Sequence, residues 1–268
     1  YGDHRDLHLS LRRQRQMCIR DRYRHTNKQV YFNAGLRGAH WLATGVDKKG
    51  FWPAGDYQAS KTPAYYTHVA WPMLEVWQEV NDDSIKSAAI RFLDATLLRK
   101  KDNGVFSGWG FKDEGSAFTH TIAYTLRGFQ ESARLLNNYD TYSQPTEQAL
   151  TALIKNAELK GGAMSGEFDE FMKPSGSYVC LTGNAQIAIC ALLLDQQNAD
   201  LRLVNAAAKL SDFVCKVQKS TFLLSGMNGV AGSYPLWGRY MIMRYPNWAA
   251  KYHCDALLML IDRLKCEL

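Results

Sequence analysis

The sequence predicts an all-α protein, an (α/α) toroid of helical hairpins that is truncated at its N-terminal end. Apolar residues recur at three- and four-residue spacing across nearly every segment, which is typical of amphipathic helices. The connections between segments alternate between short links and long loops rich in Gly and aromatic residues. Four such helix–loop–helix units follow one another, and hairpin repeats of this size stack into a solenoid or close into a ring.

We predict helices at residues 27–45, 63–80, 83–100, 118–137, 145–158, 180–196, 199–218 and 246–264. The links that follow the second, fourth and sixth helices are short, as expected for antiparallel neighbours. Thr62 and Pro63 fit the start of the second helix, as a capping hydroxyl and a first-turn proline. Pro72, inside the same helix, removes a backbone hydrogen bond and should kink it.

The four units share motifs on both sides of their long loops. Gly lies beside bulky aromatic residues in KKGFWPAGDYQ (48–58), DNGVFSGWGFKDEG (102–115), KGGAMSGEFDEF (160–171) and MNGVAGSYPLWGRY (227–240). The second helices open with AYYTHVAW (64–71), SAFTHTIAY (116–124), YVCLTGNAQIA (178–188) and YPNWAAKY (245–252). These second helices would form the inner wall of the ring. A closed toroid of this kind needs about six hairpins, so we expect roughly two more upstream of the four present.

The first 22 residues, YGDHRDLHLSLRRQRQMCIRDR, resemble translated sequencing adapter. The run YGDHRDLH resembles the translation of a flow-cell adapter, and RRQRQMCIRDR resembles that of a transposon-end primer. We therefore interpret residues 1–22 as non-native and residues 23–268 as a single toroid domain. Without this segment, which carries six Arg and three Asp, the formal charge falls from +6 to +3. The remaining excess of basic residues is too small to indicate a nucleic-acid partner, and we expect none.

The remaining composition is that of an ordinary globular domain. The cysteines after residue 22 lack CxxC spacing, which indicates buried free thiols and weakly favours a cytoplasmic location, although a signal peptide upstream stays open. No apolar run approaches the roughly 18 residues that a membrane span needs. No HxH, HExxH or paired-Cys pattern supplies a metal site, so we expect no metal and no other cofactor.

The long loops would converge on one mouth of the ring, where every inner helix begins. Helix N-termini present free amides and the positive end of the helix dipole, which favour an anionic ligand. Aromatic side chains of the loops are suited to stack on sugar rings, so an acidic saccharide meets both conditions. The candidate substrate-binding residues are Trp52, Asp56, Trp109, Glu114, Asn184, Tyr234, Trp237 and Asn247. For the two asparagines, helix capping is an equal alternative.

His68 and His120 are the strongest catalytic candidates. Each lies in the first turn of a predicted inner helix, follows a Thr and occupies the matching place in its repeat. A lone histidine there would more often cap its helix, but two that face one cavity suit general acid/base chemistry or the binding of a substrate carboxylate. Tyr178 and Tyr245 are candidate proton donors. Carboxylates of the loops keep glycoside hydrolysis open as well.

Three segments resemble a bacterial family of six-hairpin, terpenoid-cyclase-like α/α toroids, whose members tend to be encoded among capsule and exopolysaccharide genes. The segments are FTHTIAYTLRGFQESARLL (118–136), YVCLTGNAQIAICALLL (178–194) and GVAGSYPLWGRYMIMRYPNWAAKYHCDALLML (229–260). The motifs THTIAY, CLTGNAQ and GSYP…YPNWAAK carry the resemblance, which covers most of residues 28–264. It implies a toroid in a polysaccharide context and no particular reaction.

Two functions follow as hypotheses. The first is an enzyme of the hydrolase, lyase or epimerase type that acts on an acidic or modified bacterial polysaccharide. The second is a non-catalytic saccharide-binding or scaffold subunit of a polysaccharide biosynthesis system. An enzyme requires at least two titratable groups within reach of one sugar, whereas a scaffold requires only a groove with aromatic side chains.

Overall fold

A computed structural model describes residue 19 and residues 22–53, 62–112, 115–225 and 229–265. After a helical segment at residues 22–26, its α-helices are α1 (Gln29–Gly45), α2 (Thr67–Val80), α3 (Asp83–Leu97), α4 (Thr119–Leu136), α5 (Tyr139–Tyr142), α6 (Glu147–Glu158), α7 (Leu181–Asn198), α8 (Leu201–Ser225) and α9 (Asn247–Lys265). Each predicted helix is confirmed. The short α5 lies in a predicted link, and α8 runs further than the pattern indicated.

The helices form two layers. The second helices of the four units, α2, α4, α7 and α9, pack side by side in that order, while α1 packs on α3 and α6 packs on α8 outside them. Large apolar side chains fill the space between the layers, among them Phe92, Phe106 and Phe129, each fully buried. We call the side of α2, α4, α7 and α9 that faces away from the outer layer the inner face.

Backbone pairing gathers the long loops at one end of the inner helices. The amide of Ala64, just before α2, donates to the carbonyl of Gly108 in the next loop. The first amides of α4 and α7 do the same: Thr119 donates to Gly166, and Leu181 donates to Gly232. The start of each of these inner helices is therefore held by the loop of the following unit, and this shared end is the mouth.

Two short antiparallel strand pairs extend this pattern. Strand β1 (Ala117–Phe118), which leads into α4, pairs with β2 (Glu167–Phe168). Strand β3 (Val179–Cys180), which leads into α7, pairs with β4 (Ser233–Tyr234). The two-residue length of each pair explains why no strand period is visible in the sequence.

Pro72 lies inside α2. The helix runs from Thr67 to Val80 as one element with Pro72 inside it, after a 3₁₀ turn at Ala64–Tyr66 that Pro63 precedes. Because Pro72 has no N–H, the carbonyl of His68 cannot accept the usual intrahelical hydrogen bond from residue 72.

The prediction that the cysteines are buried free thiols is confirmed for two of them and wrong for a third. Cys180 and Cys190 are buried free thiols as expected, but Cys254, in α9, is exposed. Cys266 lies outside the described residues. None of the helices in the described part of the chain is long and apolar enough to cross a membrane.

Substitution of Gly128 tests how tightly the inner helices pack. A Cβ atom at this position in α4 would lie 2.5 Å from the His68 amide nitrogen, and closer still to the Thr67 carbonyl carbon. We expect Gly128→Ala to lower the free energy of unfolding by about 1–3 kcal/mol because the backbones must move apart. Urea denaturation followed by circular dichroism measures this.

The matched control is Gly35→Ala in α1, where the new Cβ would contact only Ile19 Cγ2, at 3.7 Å. Ala is favoured over Gly inside a helix, so this variant should be neutral or slightly stabilised. Equal stability of the Gly128 and Gly35 variants would contradict the close packing of α2 on α4.

Candidate functional site

Threonine hydroxyls anchor the two Thr-His motifs to neighbouring backbone. Thr67 Oγ1 donates to the carbonyl oxygen of Thr125 in α4 at 3.0 Å. Thr119 Oγ1 donates to the carbonyl oxygen of Ser165, in the next loop, at 2.6 Å. Both threonines are completely buried. The threonine of each motif therefore orients the histidine that follows it.

His68 and His120 both pack against the Tyr124 ring. His68 stacks on Tyr124 with 4.2 Å between ring centroids and 16° between ring planes. His120 contacts Tyr124 at 4.4 Å between centroids, with a tilt of 57°. Residues 120 and 124 are one helical turn apart in α4, and α2 supplies His68. The two matching histidines thus belong to one cluster on the inner face.

Hydrogen bonds from the next two inner helices, α7 and α9, orient this cluster. His120 Nδ1 lies 3.0 Å from Gln186 Oε1 of α7. Because a carbonyl oxygen can only accept, Nδ1 carries the proton and Nε2 keeps its lone pair. The Tyr252 hydroxyl of α9 donates to the Tyr124 hydroxyl at 3.0 Å. Tyr252 therefore reaches past α7 to α4, which shows that the inner wall curves around this face.

A network of charged side chains lies next to His68 on the inner face. Trp71 lies 5.3 Å from the His68 ring, and the Arg127 guanidinium lies 4.9 Å from the centroid of the Trp71 ring. Arg134 donates to Glu131 at 3.1 Å and to Glu75 at 3.3 Å. Both carboxylates are buried, so the network keeps ion pairs in a region of low solvent access.

Burial keeps both imidazoles neutral at pH 7. It lowers the pKa of His120 to about 4, although the bond to Gln186 opposes the shift. It also lowers the pKa of His68 well below 6.5, and the positive charges of Arg127 and Lys251 lower it further. The Tyr124 hydroxyl, buried and bonded to Tyr252, has its pKa raised well above 10. A neutral imidazole accepts a proton, and a protonated phenol donates one.

Aromatic rings connect the histidines to the mouth. Tyr240 lies 5.2 Å from the His120 ring and 5.5 Å from Phe118, and Phe118 lies 5.9 Å from Phe111. Phe111 is 40% exposed, and its other neighbour is Tyr65 at 5.8 Å. A continuous aromatic surface therefore leads from solvent to the His120 side of the cluster.

Tyr178 lies at the edge of this surface and is bound to a carboxylate. Its hydroxyl donates to Glu167 Oε1 at 2.7 Å, and Glu167 pairs with Arg239 at 3.1 Å. Burial, with this bond to Glu167, raises the pKa of Tyr178 far above 10. Tyr178 packs with Cys180 and Tyr240, so it joins the His120 side indirectly, through Tyr240.

Three of the predicted binding residues have structural contacts instead. Trp52 is buried, and its Nε1 donates to the carbonyl of Leu42 at 2.9 Å. Trp109 is buried as well. The Asn184 side chain is completely buried, donates to the carbonyls of Gly162 and Leu210 and accepts from the amide of residue 164. Their side chains point into the packing, so we leave them out of the proposed site.

The remaining candidates lie away from the two histidines or outside the described residues. Tyr245 packs with Val179 and Leu181 in a separate apolar cluster. Tyr234 contacts Phe213 of the outer helix α8, at 6.0 Å. Trp237 is 72% exposed, and Asn247 is exposed at the start of α9. Asp56 and Glu114 lie outside the described residues.

Helix α4 carries a polar stripe that is visible in the sequence but was not predicted to form part of the site. His120, Tyr124, Arg127, Glu131 and Arg134 recur at three- and four-residue spacing along α4, and all of them lie in the cluster or in the charged network. Ile122, Leu126, Phe129 and Ala133 form the apolar stripe on the opposite side of the helix. Two faces of this kind on one helix indicate an outer packing face and an inner polar face.

The described residues contain no group of three or more His, Cys, Asp or Glu side chains arranged to hold a metal ion. No protein-family model matches the chain, and no curated protein matches it in sequence.

Solved structures match the fold. The unsaturated glucuronyl hydrolase of Bacillus sp. GL1 gives a TM-score of 0.72 at 16% identity, over 91% of this chain and 72% of that one. An unsaturated glucuronyl hydrolase specific for heparin gives 0.71 at 16% identity, over 92% and 72%. A cellobiose 2-epimerase from Bacillus thermoamylovorans gives 0.70 at 13% identity, over 94% and 71%. The chain thus has the α/α-toroid fold that the repeats predicted, while the number of hairpins upstream stays a prediction.

The low pKa of His120 has a measurable consequence for stability. In the unfolded chain this imidazole binds a proton near pH 6.5, whereas the folded protein resists protonation down to about pH 4. The unfolded state therefore binds more protons between these values, and stability falls as the pH drops from 6.5 towards 4. NMR titration of the histidine rings should show His120 unprotonated at pH 5.

His120→Asn supplies the control because it removes this titration. Its stability should depend less steeply on pH over the same window than that of the wild type. A His120 signal that titrates near pH 6.5 would contradict the buried, neutral imidazole.

Proposed function

We propose that the protein is an enzyme that processes an acidic polysaccharide by transferring protons at the His68–Tyr124–His120 cluster. The observation that carries this proposal is the packing of two neutral imidazoles, His68 and His120, against one tyrosine ring. A sugar that lies against this cluster would have a proton acceptor and a proton donor within reach at the same time. The fold, shared with hydrolases and an epimerase that act on saccharides, is consistent with this and does not select a reaction.

Proton abstraction suits the cluster better than hydrolysis by a pair of carboxylates. Glycoside hydrolases of the usual kind place two free carboxyl groups on either side of the bond they cleave. Among the described residues of the inner face, Glu75 and Glu131 are each bound to Arg134, and at the mouth Glu167 is bound to Tyr178 and Arg239. Among the described residues, imidazoles and phenols are the titratable groups in contact with the cluster, which favours a lyase or an epimerase.

The orientation of His120 assigns it the role of base. Gln186 fixes the proton on Nδ1, which directs the Nε2 lone pair away from α7. A pKa near 4 makes a weak base in the free protein. An anionic sugar beside the ring would favour the imidazolium and raise this pKa, so binding of an acidic substrate would itself strengthen the base.

The aromatic surface from Phe111 to Tyr240 would hold neighbouring sugars of the chain. Sugar rings stack on aromatic faces, and these side chains lie between solvent and His120. The surface is built from contacts between loops of different units, so a polysaccharide could lie across the mouth while one sugar meets the cluster.

A panel of oligosaccharides that contain uronic acid tests the proposal. The protein is incubated with each of them in heavy water, and the products are analysed by mass spectrometry and by absorbance of an unsaturated uronate. A lyase yields that absorbance, and an epimerase incorporates solvent deuterium into the sugar. Cleavage with the addition of one water, without incorporation of deuterium at carbon, would instead indicate a hydrolase and contradict proton abstraction.

Variants then assign the activity to the cluster. His68→Asn and His120→Asn should each lower kcat about 10²–10⁴-fold, because each removes an acid or a base from the reaction. His40→Asn is the matched control, since His40 is half-exposed on α1 and its partner is Asp82. Binding of sugars without any turnover, unaffected by the two cluster variants, would favour the scaffold function over the enzyme.

A further inference from the structure

Arg127 has an unusual environment for an arginine. It is only 8% exposed, yet its Nε and Nη1 atoms have no hydrogen-bond partner in the described structure. Glu131 Oε1 lies 3.6 Å from Arg127 Nη2, which is an ion pair beyond hydrogen-bond distance. Buried N–H groups are nearly always bonded to protein, water or a ligand, so these two donors without a protein partner are available to a ligand.

Contacts on two sides fix where this guanidinium lies. It stacks over the Trp71 ring at 4.9 Å, and the Trp71 Nε1 atom is held by Glu75 at 2.9 Å. His68 lies on the same indole, 5.3 Å away, and its Nδ1 atom is also buried without a partner. The unsatisfied donors of Arg127 and the free nitrogen of His68 therefore belong to one region of the inner face, beside Tyr124.

The charges around Arg127 leave it available to an anion. The two buried carboxylates of the network are both bound by Arg134, through Nε to Glu131 and through Nη2 to Glu75. Lys251 of α9 is close enough for its charge to act on His68. Lys251 is itself paired with Asp255, so Arg127 is the buried cation that acts on His68.

We propose that Arg127, with His68 beside it, binds the carboxylate of a uronic acid residue of the substrate. Arginine donates several N–H groups in a planar fork that matches a carboxylate, and such bonds are stronger in a buried setting. The sugar that carries this carboxylate then lies beside the His68–Tyr124–His120 cluster. This inference rests on the proposed function only in taking the ligand to be a saccharide.

Binding measurements without turnover test the inference. The probes are a glucuronate-containing tetrasaccharide and the same tetrasaccharide with its carboxyl group reduced to an alcohol, each titrated into the protein by isothermal calorimetry. The wild type should bind the acid at least about tenfold more tightly than the alcohol, which corresponds to one charge-assisted hydrogen-bond contact. Equal affinity for the two probes would overturn the proposal whatever the variants do.

Arg127→Gln should bring the affinity for the acid down to that of the alcohol while the affinity for the alcohol stays unchanged. Arg127→Gln combined with Glu131→Gln guards against misfolding, because it removes both charges of the pair and leaves no buried carboxylate unbalanced. A preference for the acid that persists in a folded form of either variant would overturn the proposal. Lys251→Gln, which removes an exposed charge, should retain most of the preference.

Two further probes separate a uronate from other anions. A tetrasaccharide with a sulfate ester in place of the carboxylate should bind less tightly than the acid, and inorganic sulfate should compete only weakly. If the sulfated sugar binds more tightly, the assignment of a carboxylate is wrong. These results do not depend on activity, so turnover can fail while the acid preference holds, and the reverse can also occur.

Discussion

The close approach of neighbouring inner helices is the constraint on which the candidate site depends. Gly128 of α4 faces the Thr67–His68 backbone, and Gly183 of α7 faces Thr119 and His120, where a Cβ atom would lie 2.8 Å from Thr119 Cβ. Any larger residue would separate the helices. Because each glycine contacts a Thr-His pair of the preceding inner helix, the same contact that closes the wall also fixes a histidine.

This packing also determines the electrostatics of the inner face. Helices that approach so closely remove water from the side chains between them, so His68 and His120 lose their charge and Tyr124 keeps its proton. The same exclusion of water makes the Arg127–Glu131 pair costly unless other groups compensate it. The anionic ligand that we propose for the inner face would supply this compensation.

The architecture was largely predictable from the sequence, because helical periodicity and the alternation of link lengths are local properties. The recurrence of Thr-His at two inner-helix starts also made His68 and His120 the catalytic candidates.

The direction of the loop aromatic side chains was not predictable from the sequence. Trp52 turns inward because its indole N–H donates to the carbonyl of Leu42, a contact between a loop and an outer helix. The Asn184 side chain donates to backbone carbonyls of a loop and of α8, which are both distant from it in sequence. The polar stripe of α4, which includes Tyr124, Arg127 and Glu131, was visible in the sequence. Its role could not be predicted without knowing which face of α4 packs against the outer layer.

Ligand contact at the two histidines is the most direct test of the site. The ring signals of His68, His120 and His40 are followed by NMR while the glucuronate-containing tetrasaccharide is titrated into the protein. Saturable shifts of His68 and His120 with one shared affinity, and an unchanged His40, are the result expected if one sugar lies against the His68–Tyr124–His120 cluster. Saturable binding that leaves both cluster histidines unshifted would place the saccharide elsewhere and contradict the proposed site.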